Sequence, residues 1–582
     1  MKKVTLILLI LAVFYSRFVG LTWGLPYPFH PDERNMANAL QSLTCTLHPL
    51  SSTFQPTLYP LLSTFKDCFN PHFFAYGQLP LYIGYILIQL SSIFIHGSFV
   101  KEISFTSAVL SLRLISAIST IASIYVLYRL LRDYFSDIFE KNLLIYIIPF
   151  FIFAPFLIQF GHFGTTESTL ILLYLLVNYV CLSVLKKNIV TKKSLIGTGI
   201  IIGIAVGIKI SSLSFGLLPL VTILFVSFFN KQKIWKKLLG IVLQTFLFSL
   251  VLLTASIITS PQNVISFSEF LGSIVYESSI ARGTIAVFYT RQFLFSSPFI
   301  YQLKYIFPYA LGIGSFVLFL LSFFLLSYKD KRINLLRFSF LLYFIPASLI
   351  FAKWSRFMAP LLPIALIFVT LSIGRILKLT DKMILKKSVL IALIILLSIP
   401  GIAYLSIYLN KDVRESASEW IYKNIPDNAR ILSETANVVD IPLFISNTIF
   451  SNKRFEVASF DFYNIDTSKE LQDALVSNVK TADYIFIPSK RIFASHTCFL
   501  KTIPDFGYSI DRCKKLRALY PVVNEYYDKI ENGELGFKLV QTITSYPSIT
   551  IFGKTLLELN DEGADETWTV FDHPVIRIYK KI

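Results

Sequence analysis

From residue 4 to residue 408 the chain is written in long apolar runs broken by short polar interruptions, and beyond residue 408 the runs stop. A run of about 20 apolar residues is what a helix needs to cross a hydrocarbon core of about 30 Å. Such runs fall near 4–24, 105–128, 142–160, 168–185, 238–259, 305–327, 334–352, 358–376 and 388–408, with two shorter ones in 195–229 that turn near Lys209. The stretch 77–97 is apolar too, but it holds Gln78 and Pro80 and ends at His96, which suits a surface or partly inserted helix. The pattern predicts a polytopic α-helical membrane protein of about 11 transmembrane helices. The mixed-polarity remainder predicts one soluble α/β domain. In it a helix runs from Asp412 to about Asn424, with short strands near 430–434, 484–488, 537–543, 548–552 and 574–580.

Charge orients these elements. Lys and Arg collect in the short loops, at Lys2–Lys3, Arg129–Lys141, Lys186–Lys193, Lys231–Lys237, Lys329–Arg337 and Arg375–Lys387. Basic loops are retained in the cytoplasm, so an even number of crossings must separate consecutive clusters. That parity puts the N-terminus in the cytoplasm. It also puts the 25–104 loop, the turn at 161–167, the turn at Lys209, the loop 260–304, the turn at 353–357 and the tail 409–582 on the outer face. The first run lacks a small-x-small cleavage site and is read as an uncleaved helix.

Composition agrees: 54% of residues are hydrophobic and 15% charged, against about 25% charged in soluble proteins. The net charge of +18 lies largely in the retained loops. No nucleic-acid motif or basic face accompanies it, which excludes nucleic acid as a partner. Cys45 and Cys68 share the first outer loop, and Cys498 and Cys513 share the tail. Two pairs in an oxidising compartment suggest two disulfides.

Every polar cluster of note falls on the outer face. His30-Pro31-Asp32-Glu33 follows the first span. Its acids suit a helix first turn, or alternatively a carboxylate held at the membrane surface as general base or metal ligand. His162 and Glu167 sit in a short turn at bilayer depth, where ionisable groups are costly and usually functional. With Asp32 and Glu33 they form a candidate divalent-cation set, at no standard metal-ligand spacing. Arg113, Lys209, Arg282, Lys353 and Arg356 supply cations. Snorkelling suits Lys353; Lys209, deep in an apolar hairpin, calls for an anionic partner such as a lipid phosphate.

These residues carry a resemblance to the GT-C superfamily of membrane glycosyltransferases. The likeness is to prokaryotic relatives of the dolichyl-phosphate-mannose protein mannosyltransferases (glycosyltransferase family 39) and to the lipid A aminoarabinose transferases. His30 to Glu33 resembles the acidic first-loop motif, and Asn70 to Gly77 the aromatic Pro/Tyr segment. Arg113-Leu114 opens the second span, and His162 to Glu167 is similar to the second-loop motif, with Glu in place of the commoner Asp. Gly203 to Lys209 resembles a Gly-rich helix ending in Lys, and Lys353 to Pro363 an Arg-aromatic-x-x-Pro-x-x-Pro helix start. The tail, with Asp412 to Trp420 and Asp572-His573-Pro574, is similar to an exported domain that some of these proteins carry.

The resemblance implies a GT-C domain over 1–408, with the catalytic loop at 25–104, and an extracytoplasmic α/β domain over 409–582. It further implies an inverting transfer of a sugar from a polyprenyl-phosphate donor to a hydroxyl acceptor, in the cell membrane. Asp32 would be the base. Glu33 would share the catalytic position, and with Glu167 would orient sugar or acceptor hydroxyls or hold an ion; Lys209, Arg282 and Arg356 would stabilise the leaving phosphate, and His30, His162, Arg113 and Lys353 would bind substrate. No cofactor is certain, and a divalent cation stays open. The rival readings are a transporter, which usually shows internal repeats and midplane sites, and a non-catalytic anchor for the tail.

Overall fold

A computed structural model describes residues 2–43, 69–139, 143–228, 233–379, 381–434, 443, 453–498 and 509–582. The chain folds as a helical membrane part followed by a tail built around a sheet. Among the described residues seven helices are long and apolar enough to cross a membrane, or eight if the bent pair Leu144–Ile152 and Pro155–His162 forms one span. The other runs expected to span are also helical, but shorter or more charged: Val4–Phe18, Lys192–Val206, Ile313–Leu325 and Lys331–Leu349. Length and composition therefore select fewer than the eleven expected.

Leu79–His96 is among the seven by that criterion. Its placement sets it apart. Its start is tied to the turn around residue 208, where Gly77 N–H donates to the Ile208 carbonyl at 2.8 Å. It then packs antiparallel along the beginning of the long helix Phe105–Tyr134, with Gly84 against Ser111 and Gln89 bonded to Val100. Ser116, further along the long helix, meets the 161–167 turn through the Thr165 carbonyl. Leu79–His96 thus runs away from that turn in the direction opposite to the rest of the long helix.

Small residues set the spacing where Lys192–Val206 packs on Ile234–Thr259. A Cβ at Gly203 would lie 2.5 Å from Ala255 Cβ, and one at Gly207 2.0 Å from Thr259 Oγ1. Small-residue faces let membrane helices approach closely. Ser355–Leu377 is buried almost throughout, whereas Ile234–Thr259 presents nearly its whole surface outward, as a lipid-facing helix can.

In the tail, helix Val413–Asn424 precedes a five-stranded sheet in the order β2-β1-β3-β7-β4. The strands are β1 Arg430–Ser433, β2 Glu456–Ser459, β3 Tyr484–Ile487, β4 Phe537–Ile543 and β7 Ile576–Lys581. β1, β2 and β3 are parallel, and β7 is antiparallel to β3 and β4. Alternating side chains fill both faces: Leu432, Ile485 and Tyr579 on one, Ile431, Phe486 and Ile578 on the other, under Ala417 and Ile421. A separate hairpin joins β5 Ser548–Ile551 to β6 Lys554–Glu558. Cys498 and Cys513 are joined by a disulfide with Cα atoms 5.4 Å apart. Cys181 is a buried free thiol, and the suggested Cys45–Cys68 pair lies outside the described residues.

Candidate active site

The site begins at helix Pro31–Gln41. His30 is its N-cap, accepting from Glu33 N–H, and Pro31 opens the first turn. Asp32 and Glu33 lie where the helix dipole favours negative charge. Adjacent residues on a helix point about 100° apart, and here the two carboxylates part company.

Glu33 turns inward. It takes two bonds from Arg113, at 2.7 and 2.8 Å, and a third from Gly164 N–H at 2.7 Å. Arg113 also donates to the carbonyls of Leu21 and Trp23. Burial works against the Glu33 carboxylate, but Arg113 outweighs it and holds the carboxyl below its ordinary range. A carboxylate so fully engaged stitches the helix Pro31–Gln41 to the long helix and the 161–167 turn.

Asp32 turns the other way, with 19% of its side chain open, and pairs with Arg356 at the start of Ser355–Leu377. Here too burial raises the carboxyl, and Arg356 first, with the fields of His30, Lys209 and Arg491, brings it below its ordinary range. Arg356 lies over the Trp354 ring at 4.4 Å, and its Nε has no hydrogen-bond partner. Lys209, at the end of the closely packed Gly-rich helix, approaches Glu167 at 3.5 Å. Its ammonium sits over the rings of Tyr76 and Phe357 at 5.1 and 5.4 Å, a cation–π arrangement. Tyr76 is delivered by the Gly77–Gly207 contact, where a Cβ on Gly77 would meet the Gly207 carbonyl. Burial first, then Asp32, pushes the Tyr76 phenol well above its ordinary range. The pocket is therefore a ring of Asp32, Arg356, Lys209, Glu167 and Tyr76.

Other candidates lie apart from it. His162 places Nδ1 2.7 Å from the Ile158 carbonyl and Nε2 2.8 Å from that of Val19, and stacks on Tyr408. His30 is packed between Phe163 and Phe571, and burial lowers its imidazole below the ordinary range. Arg282 ends the helix Phe267–Arg282 exposed to solvent. Lys353 bonds the Phe351 carbonyl; burial, with Arg512 second, brings its ammonium down to about 8. The cation set of Asp32, Glu33, His162 and Glu167 needs correction. Arg113 and Gly164 occupy Glu33, two carbonyls occupy His162, and among the described residues no three His, Cys, Asp or Glu side chains are grouped to hold a metal ion.

Two residues outside the candidate set reach the pocket's field. Glu277, on helix Phe267–Arg282, is accessible, yet desolvation raises its carboxyl against the pull of Arg356 and Lys209. The tail supplies Arg491, paired with Glu566 at 3.0 Å. Burial raises the Glu566 carboxyl to about 7, with Arg491 opposing it. The tail also holds the 260–304 loop in place. Gln292 donates to Glu566 at 2.6 Å, Tyr301 to Asp565 at 2.7 Å, and Arg512 to the Gln292 carbonyl at 2.7 Å. No local pattern marks Arg491; only the docking of the tail brings it near Asp32.

Residues 98–258 match the family model described as dolichyl-phosphate-mannose-protein mannosyltransferase. Over that segment, less than a third of its length, the chain is similar to membrane mannosyltransferases. Arg113, His162, Glu167 and Lys209 lie inside the matched segment, and Asp32 and Arg356 outside it. No curated protein sequence matches the chain. Among solved structures, the chain is similar to ArnT from Cupriavidus metallidurans in the apo state, at 12% identity and a TM-score of 0.45, over 83% of this chain and 92% of that one. It is similar to the same protein bound to undecaprenyl phosphate at 11% and 0.43, over 83% and 92%. The Archaeoglobus fulgidus oligosaccharyltransferase in complex with zinc and sulfate follows at 13% and 0.43, over 84% and 69%.

Proposed function

We propose that this glycosyltransferase moves a sugar from a polyprenyl-phosphate donor to a hydroxyl acceptor on the outer face of the cell membrane, with inversion. The observation that carries this reading is the ring in which Asp32 pairs with Arg356 beside Lys209, Glu167 and Tyr76. The acceptor oxygen attacks the anomeric carbon and Asp32 takes its proton. The bond from that carbon to the phosphate oxygen breaks, and the electron pair leaves with the polyprenyl phosphate. That leaving group is stable as a dianion, so fixed cations suffice where the charge grows. Arg356 and Lys209 are those cations; Arg282 and Lys353, apart from the ring, are given no share.

The Asp32–Arg356 pair has a role before chemistry. A carboxylate held low by a guanidinium is ionised but a weak base. A donor phosphate that draws Arg356 away restores the basicity of Asp32, so the base is strengthened only once the donor is in place. Glu167 and Glu277 are left to hold sugar or acceptor hydroxyls. The N-terminus is assigned to the cytoplasm, 1–408 to the membrane domain and 409–582 to the extracytoplasmic domain. The test uses purified full-length chain in proteoliposomes, with radiolabelled polyprenyl-phosphate sugars and hydroxyl acceptors supplied from outside. Donor-dependent release of polyprenyl phosphate is expected. Its absence for every donor, in folded protein, rejects the reading.

A further inference from the structure

The β5–β6 hairpin of the tail has two unlike faces. Cross-strand pairs Ser548–Glu558 and Thr550–Thr555 share one face. With Asn410 and Lys411 they line a polar cleft of about 320 Å³ above the end of the last span, Met383–Leu409. The opposite face carries Ile549 and Leu557, then Ile551 beside Lys554 next to the turn, and an irregularity in the register beside Ile549 leaves Leu556 unpaired. Ile551, Leu556 and Phe552 at the tip are exposed.

Phe552 stands where local sterics do not favour it. The turn is the two residues Phe552 and Gly553, with φ of 49° and 75°. A two-residue turn with positive φ at both positions normally takes Asn-Gly or Gly-Gly, and a bulky residue there is an outlier. The ring gains nothing from the protein to offset this, because it is wholly exposed.

The root of the hairpin says what lies next to it. Ser548 N–H donates to Ser406 Oγ at 3.1 Å. Ser406 is three residues before the end of the last span, about 5 Å along the axis. Exposed Ile391, Ile395, Ile402 and Leu409 mark the lipid-facing stripe of that span, and a spacing of 4, 11, 15 and 18 from Ile391 puts Ser406 on the same side. At about 3.3 Å per residue the tip lies within about 13 Å of this root. We propose that the hairpin is a membrane wedge. Its apolar face and Phe552 enter the outer leaflet at the boundary of headgroups and acyl chains, and Lys554 meets the lipid phosphates. Apolar groups seated at this depth hold peripheral elements on bilayers, so the wedge fixes the tail over the pocket.

The test places an environment-sensitive fluorophore at Phe552→Cys, in full-length chain carrying Cys45→Ser, Cys68→Ser and Cys181→Ala. The protein is reconstituted in vesicles of phosphatidylcholine and phosphatidylglycerol. A label at Lys469→Cys, on an exposed tail helix, is the aqueous control. The expected result is a blue-shifted emission at 552, quenched by acyl-brominated lipid and several-fold less quenched by iodide than the control. Iodide quenching equal to the control overturns the proposal. So does protection from both quenchers, which would mean that protein, such as a second copy of the chain, covers the tip.

Discussion

Two carboxylates at the junction of membrane part and tail have opposite surroundings. Asp572, in the tail, is wholly buried. It receives Tyr404 and Tyr408 at 2.9 Å, Gln159 at 3.2 Å and His573 at 2.6 Å. His573 gives its other nitrogen to Asp561 at 2.9 Å. Both oxygens of Asp572 and both ring nitrogens of His573 are engaged, while Asp561 Oδ1 has no partner, and the network joins the last span, the broken helix and the tail. Asp32 has one ion-pair partner among the described residues, with 19% of its side chain open, and Arg356 keeps an unpartnered Nε. A buried carboxylate with both oxygens engaged is held rigid. A pair with capacity to spare can take a ligand. Glu33, next to Asp32 in sequence, belongs with Asp572 on this criterion.

The comparison makes graded demands. Asp32→Asn, nearly isosteric, is expected to lower donor turnover by about 10²–10⁴-fold, the usual contribution of a general base. The folded fraction on size-exclusion chromatography should not change. Turnover near wild type in that variant would remove Asp32 from the chemistry.

Asp572→Ala and Glu33→Ala should do the reverse, costing about 3–5 kcal/mol of stability by leaving a buried cation unmatched. The readouts are thermal unfolding in detergent and yield of folded protein. A stable but inactive Glu33→Ala would move that residue from the framework to the site.

Arg491→Met tests whether the tail acts on the pocket. One unit charge acting through protein dielectric is worth about tenfold or less. Because Arg491 helps to hold the Asp32 carboxyl low, its loss should move the acid limb of the rate profile to higher pH while the alkaline limb stays. An unchanged profile would confine Arg491 to the tail.

The smallest demand concerns pH and the anchor. Burial disfavours the His573 imidazolium, but Asp561 and Asp572 raise it from 6.5 to about 10. A group raised on folding stabilises fully below its unfolded value, and the gain is lost as pH rises through the folded one. Stability should therefore decline between about pH 6.5 and pH 10 in the wild type, and His573→Gln should flatten that slope. Thermal unfolding across this range is the measurement.

Local chemistry alone determined much of this protein. Long apolar runs declare membrane helices, because a backbone in hydrocarbon must satisfy itself. Alternation near 430, 484, 537, 548 and 576 marked five of the seven strands; β2 and β6, short and mostly exposed, lack the apolar alternation that would reveal them. Lys209 stood out because an ammonium in an apolar hairpin needs an anion nearby, and Glu167 lies beside it. Tertiary structure decided the rest. Whether Asp32 or Glu33 faces Arg356 turns on one helical step, which composition cannot encode. Arg356 reaches Asp32 across 324 positions, and Gln159 reaches Asp572 across 413. Arg282 and Lys353 bear the same charge as Arg356 but end elsewhere, while Arg491 and Glu277 are drawn near by the docked tail and the 260–304 loop. Periodicity records which face of an element is buried; it holds no record of which distant element buries it, and a site of paired charges is made of such long-range meetings.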